Sequence, residues 1–175
     1  SSIIGAIIIS AIVIIGVQGY KIAEQKAELK IQNAYEDAKV NDSLESFVET
    51  YSETLLGGFA ALELANKSYE ANDYSVALEF YTAAASGLES SPLKDKASIG
   101  IAFARYQIDQ EDGLSVLETL FTDLGIMESV RAEAGYVLLV DAQSKGDEEK
   151  AKSLAETINA FENAGSWKFR ISQFL

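Results

Sequence analysis

Among 175 residues there is no cysteine and no histidine, and proline, methionine and tryptophan occur once each. Without cysteine there is no disulfide framework, and nothing marks the redox compartment. Without histidine the serine–histidine–aspartate constellation and the zinc-binding HExxH helix are excluded. So is the side chain that ordinarily moves protons near neutral pH. Nitrogen and sulfur metal sites are all but ruled out, and no metal or other cofactor is expected. An enzyme would have to run on carboxylates, lysine, tyrosine or serine.

Basic residues are scarce too, 14 against 27 acidic, for a net charge of −13. A nucleic-acid partner needs a clustered basic surface and is not expected. The acidic balance suits a soluble body, or one that meets basic or unfolded clients. The carboxylate pairs Glu36-Asp37, Glu111-Asp112 and Glu148-Glu149 fall on expected helix faces or turns, and nothing converges on them. Asp109–Gly113 ("DQEDG") resembles a calcium loop only superficially, because Leu114 stands where an EF-hand needs glycine. There is no glycine-rich phosphate loop. Catalysis is therefore not expected.

Charge is absent altogether from Ile3 to Val17, where Ser10 is the only polar side chain. At ~1.5 Å per residue, the stretch from Ile3 to Tyr20 spans roughly 27 Å as a helix, enough for a hydrocarbon core. In lipid such a run must be helical to satisfy its own backbone. No small-residue cleavage site follows it, so a cleaved signal peptide is set aside and residues 1–20 are expected to belong to the mature fold. Lys21, Lys26 and Lys30 follow the segment and no basic residue precedes it. The positive-inside rule alone would then put the body in the cytoplasm. Ser2, Gly5, Ala6, Ser10 and Gly16 form a small-residue side on which another helix could pack closely.

Residues 21–41 read as a helical stalk. Between Tyr20 and Val40 there is no glycine or proline, and Ala23, Ala27, Ile31, Ala34 and Ala38 recur at helical spacing. Asn41–Ser43 should stop the helix and cap the next. "LESFVETYSETLL" presents Leu44, Phe47, Val48, Tyr51 and Leu55 on one face, and Gly57-Gly58 is expected to break the chain again.

Residues 42–175 read as paired helices and short turns, in units at about 59–90, 95–125 and 128–162 with a cap at 163–175. "NDY" at Asn72–Tyr74 turns the first pair, "QEDG" at Gln110–Gly113 the second, and "KGD" at Lys145–Asp147 the third. "LESSPLKDK", around Pro92, is the longest loop-like stretch. Superposing the turns aligns Ala77, Val116 and Ala151, which lie 39 and 35 residues apart. A helix-turn-helix unit repeating near 34 residues is the tetratricopeptide signature. One unit cannot bury its own apolar face, so units stack into a solenoid. The fold class is thus all-α: an N-terminal transmembrane helix continuing into a stalk, then a tetratricopeptide-like solenoid. The tail "SWKFRISQFL" fits either a strand or a helix.

The order and spacing of "IIGVQGYKIAEQKAELKIQNAYEDA", "GGFAALELANKSYEANDYSVAL", "FARYQIDQEDGLSVL" and "SKGDEEKAKSLAE" resemble the YfgM family of bacterial inner-membrane proteins, ancillary subunits of the Sec translocon. That resemblance implies a single-pass protein of the bacterial cytoplasmic membrane with a periplasmic or extracellular C-terminal domain. It implies a non-enzymatic scaffold associated with protein export and periplasmic chaperones. The family's charged cytoplasmic stretch before the membrane helix has no counterpart ahead of Ile3.

In such folds the first helix of each pair lines a groove for extended peptides or partner helices. The corresponding positions are Phe59, Leu62, Asn66, Tyr69 and Glu70 in the first unit. They are Ile101, Arg105 and Ile108 in the second, and Tyr136 and Gln143 in the third. Tyr69, Arg105 and Tyr136 are the most binding-like, because aromatics and arginine dominate interface energies; the alternative is packing against the next helix. The expected partners are membrane lipid or other helices along residues 3–20, and other proteins along the repeats. A homo-oligomer is possible. A competing reading is a pilin-type filament subunit, whose apolar N-terminal helices bundle into a core.

Overall fold

The computed structural model describes the backbone of residues 2–174, and side chains for residues 20–172 and Phe174. The first helix, α1, is Ser2–Val40. From Tyr20 to Lys30 every α1 residue is exposed. The helix meets the body only where Ile31, Ala34, Tyr35 and Ala38 pack against α2 (Leu44–Tyr51) and α3 (Leu55–Glu70). The chain turns at Asn41–Ser43, with Asp42 at φ 50°. Ser43 does not cap α2 through its side chain. Its φ of −123° and ψ of 31° lie outside the extended region that aims a cap hydroxyl at the next turn.

The glycine pair is not a break. α2 ends at Tyr51, and the N-cap of α3 is Thr54, whose hydroxyl accepts a hydrogen bond from the Gly57 amide at 3.0 Å. Gly57 and Gly58 are buried in the first turn of α3. A Cβ on Gly58 would stand 2.8 Å from the carbonyl carbon of Gly87, so the pair serves close helix approach.

Three antiparallel pairs follow: α3 with α4 (Tyr74–Gly87), α5 (Leu93–Ile108) with α6 (Gln110–Thr122), and α7 (Glu128–Ser144) with α8 (Glu148–Ala160). Each pair packs on the next, and α3, α5 and α7 also touch in sequence. A short α9 (Trp167–Ile171) and a 3-10 turn at Ser172–Phe174 close the stack against α7 and α8. The tail is therefore helical, with Ile171 fully buried. Pro92 directly precedes α5, so the "LKDK" assigned to a loop is helix. Proline's fixed φ suits a helix start.

The "QEDG" turn is helix as well. α5 and α6 are joined by Asp109 alone, whose carboxylate accepts from the amides of Glu111 at 3.0 Å and Asp112 at 3.2 Å. Acidic residues favour a helix N-terminus. Gly113 faces Tyr106, whose Cβ would lie 2.5 Å from any Cβ added there. The repeat register follows Gly113. Ala77, Gly113 and Ala151 are buried, whereas Val116 is only partly so. Gly113, not Val116, holds the position where the helices cross. Asp73, Asp109 and Asp147 each cap four residues before that buried small residue, so the three second helices share one register.

The core is alanine-rich where helices cross and large between pairs. Ala60, Ala61, Ala65, Ala77, Ala84, Ala97, Ala102 and Ala104 are fully or almost fully buried, letting α3, α4 and α5 approach closely. Leu117, Val130, Leu139, Ile158 and Ile171 are fully buried in the second half. Each such large side chain contributes ~1.5–3 kcal/mol of hydrophobic stabilisation. Two seams between pairs share one device. The Tyr81 ring on α4 lies over Gly100 on α5, and the Phe121 ring on α6 lies over Gly135 on α7.

A candidate partner-binding face on the first helices of the pairs

Spacing of three and four residues puts Phe59, Leu62, Asn66, Tyr69 and Glu70 along α3. Ile101, Arg105 and Ile108 lie along α5, and Tyr136 and Gln143 along α7. None of them is fully buried. They differ in what they already touch.

Phe59 and Leu62 pack against the core shared by α1–α4, and Leu62, Tyr69 and Ile101 pack against the cluster around Tyr81. The Tyr69 ring sits edge-on to Tyr74 and Tyr81, with centroids 5.2 and 6.5 Å away. Its hydroxyl accepts from Gln107 Nε2 at 3.4 Å. Asn66 Oδ1 accepts from the Tyr81 hydroxyl at 2.7 Å, which leaves its amide protons outward. Burial pushes the Tyr81 phenol above its ordinary pKa, and the neighbouring Tyr69 and Glu70 push it the same way. The neutral phenol therefore persists as a hydrogen-bond donor.

Arg105 is committed within the fold. One terminal nitrogen contacts both carboxylate oxygens of Asp112, at 3.1 and 3.3 Å, and Nε is buried without a partner. Tyr136 stacks on Trp167 of α9 at 5.3 Å between centroids, so the closing helix covers part of the third unit's face. Ile108 is exposed, and Glu70 and Gln143 are exposed without a side-chain hydrogen bond among the described residues. The face can offer a partner apolar surface, an outward amide and a carboxylate. Its arginine is a weaker contact than the sequence suggested.

Two features have no counterpart in the sequence reading. Ile31, Tyr35, Leu55 and Leu56 line an open cleft of about 520 Å³ between α1 and the start of α3. Another, of about 510 Å³, lies beside α9 and includes Tyr136, Phe169 and Arg170. The apolar spacing on α1 and the cation–aromatic run "WKFR" were the available signals. Among the described residues no group of three acidic side chains is arranged to hold a metal.

Among the described residues no helix is long and apolar enough to cross a membrane. The segment behind the membrane expectation, with the packing candidates Ser2, Gly5, Ala6, Ser10 and Gly16, lies outside the residues whose side chains are described.

Stacked helix pairs with small residues at each crossing, and one face of half-exposed side chains, define a helical-repeat interaction scaffold. The chain belongs to the tetratricopeptide repeat-like domain family, whose profile matches residues 1–124. That span takes in the apolar segment and α1–α6. No match was found among curated proteins, nor among solved structures.

Proposed function

We propose that the protein is a membrane-anchored scaffold that binds other proteins along α3, α5 and α7, in the service of protein export. The observation that carries this reading is the half-exposed face itself. Asn66, Tyr69, Glu70 and Ile108 form its open part, on a fold whose class binds proteins. The uncharged run Ile3–Val17 supports an anchor, and the family profile includes it. The proposed partners are the Sec translocon and periplasmic chaperones, with the body outside the cytoplasmic membrane of a bacterium. The sequence resemblance supports those identities.

The test is affinity capture of the full chain from membranes of its own host, beside a Tyr69→Ala/Ile108→Asp variant. Enrichment of translocon or chaperone components, lost in the variant, is the expected result. Extraction of the chain by alkaline carbonate would sink the anchor. Capture unaffected by the variant would move the contact off this face, and capture without export components would remove the export role.

A further inference from the structure

The two ends of the folded body carry complementary surfaces. At the C-terminal end, residues 167–174 include Lys168 and Arg170 and no acid, in a chain of net charge −13. Among the described residues neither cation has a carboxylate partner, which they share with Lys21, Lys26, Lys30, Lys39, Lys67, Lys94 and Arg131. Arg170 instead lies over the Trp167 ring, 5.1 Å from its centroid. Between the two cations, Phe169 is 85% exposed.

At the other end, the α1–α3 cleft has the opposite character. Its floor is Ile31, Tyr35, Leu55 and Leu56, and Glu28 and Glu36 edge it. Leu55 is 53% exposed there. Neither glutamate has a cation partner among the described residues. Within one molecule α9 touches α7, α8 and the turn after it, and not α1 or α3. Its own cleft is at the far end of the stack.

We propose that α9 of one copy docks in the α1–α3 cleft of a second copy. Phe169 enters the apolar floor beside Leu55, and Lys168 and Arg170 pair with Glu28 and Glu36. A cleft of about 520 Å³ admits an aromatic ring with its flanking methylenes. The match is of shape and charge together, which sets register as well as attraction. The surfaces differ, so the contact is heterologous and propagates into a ring or an open row. The patch is small, and high local concentration strengthens such contacts. The inference stands apart from whatever the α3–α5–α7 face binds.

The absence of cysteine makes the test clean. Full-length Leu55→Cys and Phe169→Cys chains are purified separately, mixed in detergent or liposomes, and oxidised. Far-UV circular dichroism checks that each is folded. A disulfide-linked dimer should form in the mixture and in neither sample alone. Adding Lys168→Glu and Arg170→Glu to the Phe169→Cys chain should lower the yield several-fold. Adding Glu28→Lys and Glu36→Lys to its partner should restore it. A dimer from Phe169→Cys alone would mean a symmetric cap-to-cap contact and overturn the proposal. So would a yield no higher than that of exposed Leu124→Cys mixed with Leu55→Cys, or crosslinking in cells to a different protein and not to Leu55→Cys.

Discussion

Replacing Gly100 with alanine tests whether the stack is set by ring-on-glycine seams. Gly100 lies inside α5, so on helix propensity alone alanine should stabilise by ~1 kcal/mol. The seam argues the reverse. A Cβ there would fall 2.5 Å from Cδ1 and 2.7 Å from Cζ of Tyr81. Carbon atoms prefer about 3.5–4.0 Å, so the ring must retreat by roughly 1 Å. It is not free to do so. Its hydroxyl holds Asn66 at 2.7 Å, and the Tyr69 ring packs edge-on to it with centroids 6.5 Å apart. Overpacking of this kind costs ~1–3 kcal/mol. Losing the hydrogen bond would add ~0.5–1.5 kcal/mol. Set against the propensity gain, the net destabilisation is about 0.5–3.5 kcal/mol. For a chain this size that lowers Tm by roughly 1–14 °C.

The assay is urea unfolding of the full chain in detergent, followed by circular dichroism, with a double-mutant cycle. Gly100→Ala should be much less harmful in a Tyr81→Leu background, because the ring it displaces is gone. Gly100→Ala stabilising by the ~1 kcal/mol of a free helical glycine would refute the seam. So would strict additivity in the cycle.

Three further outcomes follow from other parts of the fold. Asp109→Ala should cost about 1–2 kcal/mol by thermal unfolding, because one carboxylate caps two amides at a single-residue junction. Tyr81→Phe should cost ~1 kcal/mol at neutral pH through the bond to Asn66. It should also change the alkaline limb: with the Tyr81 pKa raised above 10.0 in the fold, the native state keeps a proton that the unfolded chain loses. That contribution is full below about pH 10 and is lost as pH rises through the folded value, so wild type should lose stability more steeply than Tyr81→Phe in urea titrations above pH 10. Lys152→Ala should leave Tm unchanged, since its ion pair with Glu156 is exposed and stretched to 4.0 Å.

Some of this was legible before any coordinates. The turns at Asn72-Asp73 and Gly146-Asp147 each combine a residue suited to positive φ, here 63° and 75°, with an aspartate cap. Few other local structures use that pair. Glycine alone is less readable, because turns and close helix crossings both use it. Gly57-Gly58 and Gly113 were read as turns, and both serve crossings. In the second unit Gly113 takes the place of the buried alanine, so an apolar pattern aligned on Val116 falls out of register with it. On the candidate face, helical spacing identified the positions but not their prior engagements. The Tyr81–Asn66 bond links residues 15 apart, and the Tyr69–Gln107 bond residues 38 apart. The cap's Trp167 reaches back over Tyr136. Such contacts depend on how the helices stack, and spacing along one helix cannot supply that.

The family profile ends at residue 124, before α7, yet the stacking does not end there. Asn72, Asp73 and Ala77 have their counterparts 74 residues on, in Gly146, Asp147 and Ala151. The first of each trio has positive φ, the second caps the amide three residues later at 3.3 and 3.0 Å, and the third is buried. Two turns built by the same three-part device, two pairs apart, make α7–α8 a repeat in the same sense as α3–α4. The ring-on-glycine seam recurs with it, Tyr81 over Gly100 and Phe121 over Gly135. The unit after α8 breaks the pattern. Gly165 at φ 60° ends the connection, and α9 is five residues long with two cations and an uncovered Phe169.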